Sequence, residues 1–420
     1  MTDTYNHKCP ACGGAMNFDI KTHMLKCQFC DTEVPVDDPE ATKGAKKFNE
    51  GEFVRKNHYS EPEEPLVRHL ADGDDPETTK HDTYACPQCG GAIEVSPTTV
   101  STICPYCENN VVFYDKLVGN HVPDLVVPFK LDKDVLLQKY QEHLKNKPFV
   151  PKLFKRDNRI ENIKGYYIPF WIYDMTAMGS AKFSAERDSG DKTSVYNVFR
   201  TGSQKFEKIP EDACIDVDDA LTESLEPFAF DDSIPFKPEY LPSFISYVYD
   251  ESCQSCAERA SNRAATSLVD TLEHETVTDY TRVSFESDDI KTSDISAQSV
   301  LYPIWMMKTK WENKEFTFAL NAQTGTFVGN LPRNNALYFG SMTIFAVLLW
   351  FVLQFFFKGA DWWIPIVAGL AVSIIGHIAV DSSRVSVARA TKANSYGDIK
   401  SFKLLDARDE FVRSYTRNRK

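Results

Sequence analysis

The chain has 420 residues, 42% of them hydrophobic, with a formal net charge of −13 and a pI near 5.3. That length allows several domains and a sizeable core, and the composition argues against both a disordered chain and a polytopic transporter. The acidic balance argues against general nucleic-acid binding, because phosphate contacts need clustered Lys and Arg.

Met1 to Tyr5 is polar and a cysteine knuckle follows at once, so no secretory signal is read there. Eight of the eleven cysteines fall in CxxC pairs near the start of the chain. Such usage points to metal ligation in a reducing compartment rather than to disulfides. The first unit, 5–37, carries Cys9-Pro-Ala-Cys12-Gly13-Gly14 and then Cys27-Gln-Phe-Cys30. The second, 84–115, carries Cys86-Pro-Gln-Cys89-Gly90-Gly91 and then Cys104-Pro-Tyr-Cys107. A shift of 77 residues superimposes all four cysteines, the Gly-Gly pair and the Ala that follows, which marks a duplication.

Two thiolates three residues apart can hold one ion from a tight turn, and glycine supplies the positive φ of that turn. Four thiolates close a tetrahedral site with no open position, which suits a structural Zn2+ ion and leaves a rubredoxin-type iron centre as the rival. Short hairpin strands are expected at 16–20 and 24–26, around a core so small that metal binding and folding should coincide. Lys8, Lys21 and Lys26 stand against Asp3, Asp19, Asp31, Glu33 and Asp37, and Lys116 against Glu94, Glu108 and Asp115. Neither unit carries a phosphate-binding patch, so protein contact is expected of both.

Residues 38–83 are rich in Glu, Asp, Lys and Pro and read as a charged linker. Residues 123–332 have the composition of an α+β domain. A helix is predicted over 132–146, with Asp132 as its cap and Pro148 as its stop. Strands are predicted over 165–173 and 195–206, and a long helix over 251–274 with Cys253, Ala257, Ala260, Ala264, Leu268 and Leu272 on one face. The CQSC pair, Cys253 and Cys256, lies on or beside that stripe, so it reads as packing rather than as a redox-active pair or as a third site completed by Cys214 and a histidine. Strands follow at 300–310, 315–320 and 326–328, with turns at Asn313-Lys314 and Thr324-Gly325. The segments 166–173 and 301–307 resemble each other, and a proline in each suggests an edge or a bulge. No nucleotide loop, GxSxG or HExxH is present. Asp218-Asp219, Asp231-Asp232 and Asp288-Asp289 read as solvated turns, so no enzyme is expected.

Residues 336–357 and 362–380 are long apolar runs joined by a short loop and read as a two-helix transmembrane hairpin in the lipid bilayer. Arg333 before it, and Arg384, Arg389 and Lys392 after it, put both termini in the cytoplasm, with 381–420 a basic tail. Gln354 and His377 lie within the spans near a membrane face, where snorkelling or an interhelical hydrogen bond is expected rather than a functional site.

The duplicated CPxCGG…CxxC units, the segment IKGYYIPFWIYD, the later YPIW with NAQTGTFVGNLP and the terminal hairpin together resemble the bacterial TFIIB-type zinc-ribbon-containing membrane proteins. The resemblance covers most of the chain. It implies two zinc ribbons, a multi-pass plasma-membrane protein, and protein partners of the PspA-like, SPFH-domain or TPM-domain kinds in a membrane-stress complex. The function expected is that of a membrane-anchored adaptor or scaffold. The alternative is a membrane-tethered nucleic-acid-binding regulator.

Overall fold

A computed structural model describes residues 4–5, 7–36, 82–113, 116, 121–145, 147–157, 163–356, 363–382 and 384–416. The linker read over 38–83 lies outside them, apart from its last two residues.

The first cysteine unit contributes β1 (Thr4–Tyr5) and a three-stranded antiparallel sheet of β2 (Met16–Asp19), β3 (Met24–Cys27) and β4 (Glu33–Pro35). Its buried positions alternate, Met16 and Phe18 on one strand, Leu25 and Cys27 on the next, as a one-faced sheet requires. That face is not covered from within the unit. It packs on the larger domain, where the Phe18 ring meets Tyr240 at 5.4 Å and Phe244 at 6.4 Å. The second unit contributes the pair β5 (Asp82–Ala85) and β6 (Ala92–Val95), then β7 (Thr99–Ile103) and β8 (Asn110–Phe113).

Nine further strands follow: β9 (Leu125–Val126), β10 (Ile163–Ser189), β11 (Lys192–Asp212), β12 (Ile234–Pro235), β13 (Ile245–Tyr247), β14 (Arg282–Trp311), β15 (Lys314–Asn321), β16 (Phe327–Gly329) and β17 (Gly397–Thr416). The helices are α1 (Lys133–Leu144), α2 (Lys152–Asp157), α3 (Asp219–Glu223), α4 (Cys253–Thr276), α5 (Asn335–Phe356) and α6 (Trp363–Ser382). One sheet runs β1-β8-β7-β13-β10-β14-β15-β16, with β11 and β17 continuing it from the far half of β10. The second cysteine unit, read over 84–115 as a separate module, is therefore partly merged with the domain. β8 pairs with β1, and β7 pairs with β13 through Ser246 and Tyr247.

The strands read at 165–173 and 300–310 lie side by side, Tyr166 opposite Ile304 and Ile168 opposite Tyr302. Their prolines mark neither an edge nor a bulge. β10 pairs with β13 at Tyr166 and Tyr167 and with β11 from Phe170 onward, and Pro169 sits at the changeover. β14 pairs with β9 at Val300 and Leu301 and with β15 from Ile304, and Pro303 sits at that changeover. A position between two successive partners needs no ladder donor, and proline has none to leave unmet. Each proline keeps its acceptor role: Ala213 N–H donates to the Pro169 carbonyl at 2.9 Å and Ala322 N–H to that of Pro303 at 3.1 Å.

Sequence reading recovers only the apolar halves of these strands. β10 continues beyond 173 to Ser189, and β14 begins at Arg282, so Asp288-Asp289 stands within a strand instead of a turn. The β14–β15 turn is also one residue earlier than read, with Glu312 and Asn313 both at positive φ. The 381–420 tail is corrected too. Gly397–Thr416 is a strand paired along β11 from Phe206 to Lys192. It is an exposed edge strand in which charges interrupt the alternation, which explains why it reads as a tail.

α4 covers the far half of the sheet. Ala257, Ala260 and Ala264 face Ala177, Ala181 and Ala185 of β10, and small side chains on both surfaces bring helix and sheet close. Leu268 and Leu272 complete the stripe, each fully buried and contributing roughly 1.5–3 kcal/mol. Ser252 caps the helix through Ser255 N–H, and Asp132 caps α1 as read from the sequence.

α5 and α6 lie against each other. The Ser373 hydroxyl donates to the Met342 carbonyl at 2.9 Å, and His377 Nε2 lies 3.1 Å from Ser341 Oγ, the interhelical contact that is one of the two alternatives read for that histidine. Residues Asn335–Phe355, with mean hydropathy 2.1 and 11% buried, are long and apolar enough to cross a membrane. Ile366–Ser382 is a shorter apolar stretch. The helix ends are tied to the domain and to each other. Asp381 accepts from Arg384 at 2.8 Å and from Arg333 at 3.2 Å, and the Arg333 guanidinium lies 4.7 Å above the Tyr338 ring. The chain after α6 then runs back over the domain as a strap, with Ser386 bonded to Gly329, Ala390 N–H to Glu223 and Ala393 N–H to Ser267.

Candidate metal centres

Each knuckle is a closed turn. In the first unit Cys9 N–H donates to the Gly14 carbonyl at 2.7 Å and Gly13 N–H to that of Cys9 at 2.8 Å. The second unit repeats this with Cys86, Gly91 and Gly90. Gly13 and Gly90 have φ of 71° and 74°, as the turn demands. The later knuckles have the same shape without glycine: Asp31 and Glu108 occupy the matching position at φ of 56° and 58°.

The second glycine of each pair has a different task. A Cβ on Gly14 would fall 2.4 Å from the Phe29 ring, and one on Gly91 2.6 Å from the Tyr106 ring. The Gly-Gly pair thus combines one residue for the turn with one for an aromatic ring laid over it. Sequence reading found the first role and missed the second, although the CQFC and CPYC aromatics were its signal.

The turns bring Cys9, Cys12, Cys27 and Cys30 together, and likewise Cys86, Cys89, Cys104 and Cys107, with the sulfurs of each set within 4.8 Å of one another. Cys9 and Cys30 Sγ are 3.5 Å apart, as are Cys12 and Cys27; the second unit has 3.6 Å for Cys86–Cys107 and 3.8 Å for Cys89–Cys104. A tetrahedron with metal–sulfur bonds of about 2.3 Å has edges of about 3.8 Å. Each set can therefore hold a metal ion. The Thr32 hydroxyl, hydrogen-bonded to Cys30, brings that thiol down to about 6. Against the opposing effect of burial, the Cys107 and Tyr106 N–H groups bring Cys104 down to about 7. In the same sets, against the lowering effect of the Gly14 N–H, the Cys30 and Cys27 thiols hold Cys12 up at about 12, and burial holds Cys86 up at about 12. Each set thus pairs a favoured thiolate with a neighbour that keeps its proton.

The remaining cysteines form no such set among the described residues. Cys214 is packed in a different core cluster from Cys256, and burial pushes both thiols upward. Cys253 lies 3.6 Å from the Tyr173 hydroxyl. Protonated, buried thiols are neither good ligands nor good nucleophiles. A cleft of about 430 Å³ lies between Tyr166, Tyr247, Met306 and Phe316. Its charged residues have structural partners: Lys308 pairs with Glu315 at 3.3 Å, and Asp218 caps α3 through Ala220 N–H at 3.0 Å.

A contrast between two substitutions tests the turn geometry. Gly90→Ala forces alanine into the left-handed region and is expected to cost the second unit about 1–2 kcal/mol. Glu108→Gly relieves the same strain and is expected to be neutral or stabilising. Chelator competition for the bound metal measures both, and equal losses would refute the strain argument.

The chain is 28% identical over 335 residues to the uncharacterized protein YdjG of Bacillus subtilis (strain 168), across 78% of this chain and 90% of that one. No family model matches it, and no solved structure matches it. The resemblance read from sequence thus has a counterpart in a Bacillus protein similar over most of its length.

Proposed function

We propose that the chain is a membrane-anchored adaptor whose two ribbons, each folded around a structural Zn2+ ion, bind protein partners. In this reading α5 and α6 form a two-pass hairpin in the plasma membrane with both termini cytoplasmic. The partners are of the PspA-like, SPFH-domain or TPM-domain kinds that the resemblance to TFIIB-type zinc-ribbon membrane proteins implies. The observation that carries the proposal is the pair of aromatic rings at the knuckles. Phe29 is 64% exposed and Tyr106 68% exposed, each held over a glycine beside a metal-binding turn. A rigid, exposed aromatic is costly to leave in water and well suited to anchor a protein interface. Lys26 is held by Asp31 and Glu33 at 3.6 and 3.5 Å, which favours protein over nucleic acid as the ligand.

Cysteine variants are poor tests of recruitment, because Cys9 and Cys27 belong to the main core cluster. The better test is Phe29→Ser with Tyr106→Ser in the full chain, followed by cross-linking and affinity capture from membranes. Recovery of the bound partner is expected to fall at least about tenfold, a loss typical of hot-spot truncation, while two zinc ions per chain remain. Undiminished recovery with both ions in place would refute the assignment of the rings.

A further inference from the structure

The chain is acidic, yet between Glu142 and Asp157 it carries Lys145, Lys147, Lys152, Lys155 and Arg156 with no carboxylate. This run is far from the apolar helices in sequence, so the usual count of charges flanking a span does not include it. The fold brings it to them. The Phe149 carbonyl accepts from Asn334 N–H at 2.7 Å, immediately before α5. The Phe149 ring stacks on His377 of α6 at 5.6 Å and meets Tyr338 of α5 edge-on at 5.1 Å. Phe149 is therefore held at the level of the first turn of α5 and the last turns of α6.

The lysines are fixed close to that anchor. Lys155 Nζ donates to the Lys147 carbonyl at 2.8 Å, which folds α2 back onto the loop that carries Phe149. Phe154 pins α2 to the β14–β15 end through Trp311 at 5.7 Å and Phe316 at 6.0 Å. Lys145, Lys152 and Lys155 are exposed. Leu153, on the same short helix, is 52% exposed. Cations beside an apolar side chain, at the level where two apolar helices end, form the pattern of a surface that meets lipid headgroups.

We propose that Lys145, Lys152 and Lys155, set around the Phe149 anchor, form a lip that binds anionic phospholipid headgroups, with Leu153 entering the acyl boundary. The lip seats the domain on the membrane beside its own hairpin. This rests on the membrane-anchor reading above.

The test uses the full chain reconstituted in nanodiscs of phosphatidylcholine alone or of phosphatidylcholine rich in phosphatidylglycerol. Acylation of each lysine is read by mass spectrometry, and insertion is read separately by resistance to alkaline carbonate in vesicles of the same lipids. In the anionic discs, acylation of Lys145, Lys152 and Lys155 is expected to fall about threefold or more, and high salt should restore it. The Lys145→Gln, Lys152→Gln, Lys155→Gln variant is expected to insert normally. It should lose the preference for anionic vesicles that the intact chain shows in co-flotation. Acylation indifferent to lipid charge in a fully inserted chain would overturn the lip and leave the anchor standing. Extraction by carbonate would overturn anchor and lip together.

Discussion

Cys104→Ser is expected to remove one of two bound metal ions and to lower the thermal transition of the protein by about 10 °C, on the order of 3 kcal/mol for a domain this size. The reason lies in what Cys104 joins. Its side chain is fully buried with Tyr84, Ile93, Val111 and Phe113, a cluster with few other members. Ribbons of this kind draw about 10–16 kcal/mol of apparent free energy from a structural ion, so losing a ligand removes most of what holds them. The second unit is also not isolated from the domain. β8 pairs with β1, and β7 pairs with β13, so its collapse strips the edge of the large sheet. Metal content by mass spectrometry and a melting curve on the detergent-solubilised chain check both parts. Two ions still bound, or an unchanged transition, would refute this account of the second ribbon.

The same contrast explains what the sequence made legible. The eight candidate ligands were readable because thiolate chemistry fixes their type and a tight turn fixes their spacing, and the structure brings the cysteines together in the two sets read from the sequence. The helices at 132–146 and 251–274 were readable from caps and periodicity, and each is found within a few residues. The long polar strands were not. Residues 282–297 of β14 are mostly exposed, so no buried face imposes alternation, and Asp288-Asp289 looked like a turn. Pro169 and Pro303 misled for a related reason. Their positions are explained by which strands lie alongside, a tertiary fact absent from either segment alone. The docking of the first ribbon through Phe18 was hidden in the same way, because its partners Tyr240 and Phe244 lie more than two hundred residues away.

These features together join the sheet-rich domain and the two apolar helices. Phe149 meets the helix ends from one side, and the strap after α6 returns over α3 and α4 before entering the sheet as β17. Among the described residues after α6, Ser386, Ala390 and Ala393 are each hydrogen-bonded to the domain before β17 begins.

Arg263→Met should show how far that junction depends on one buried cation, with an expected loss of about 3–5 kcal/mol. Arg263 is 4% exposed on α4 and donates to Glu211 at 2.9 Å, Glu226 at 2.7 Å and the Pro210 carbonyl at 2.9 Å. It also reaches the Lys392 carbonyl in the strap at 3.4 Å. Removing it leaves Glu226 buried without its cation and Glu211 with Arg259 alone, at 3.3 Å. Burial already pushes Glu211 up to about 7 despite both guanidiniums, so there is little favourable energy in reserve. Arg263→Lys is expected to recover little, since one ammonium cannot span four acceptors set around a planar fork. Adding Glu226→Gln to Arg263→Met removes the stranded charge and is expected to restore about half of the loss. Denaturant melts of the intact chain, Arg263→Met, Glu226→Gln and the double variant give the cycle. Limited proteolysis between α6 and β17 reports on the strap, which should be cut faster in Arg263→Met. A loss below about 1 kcal/mol, the range of an exposed pair, would show that the cluster is not the clamp described here.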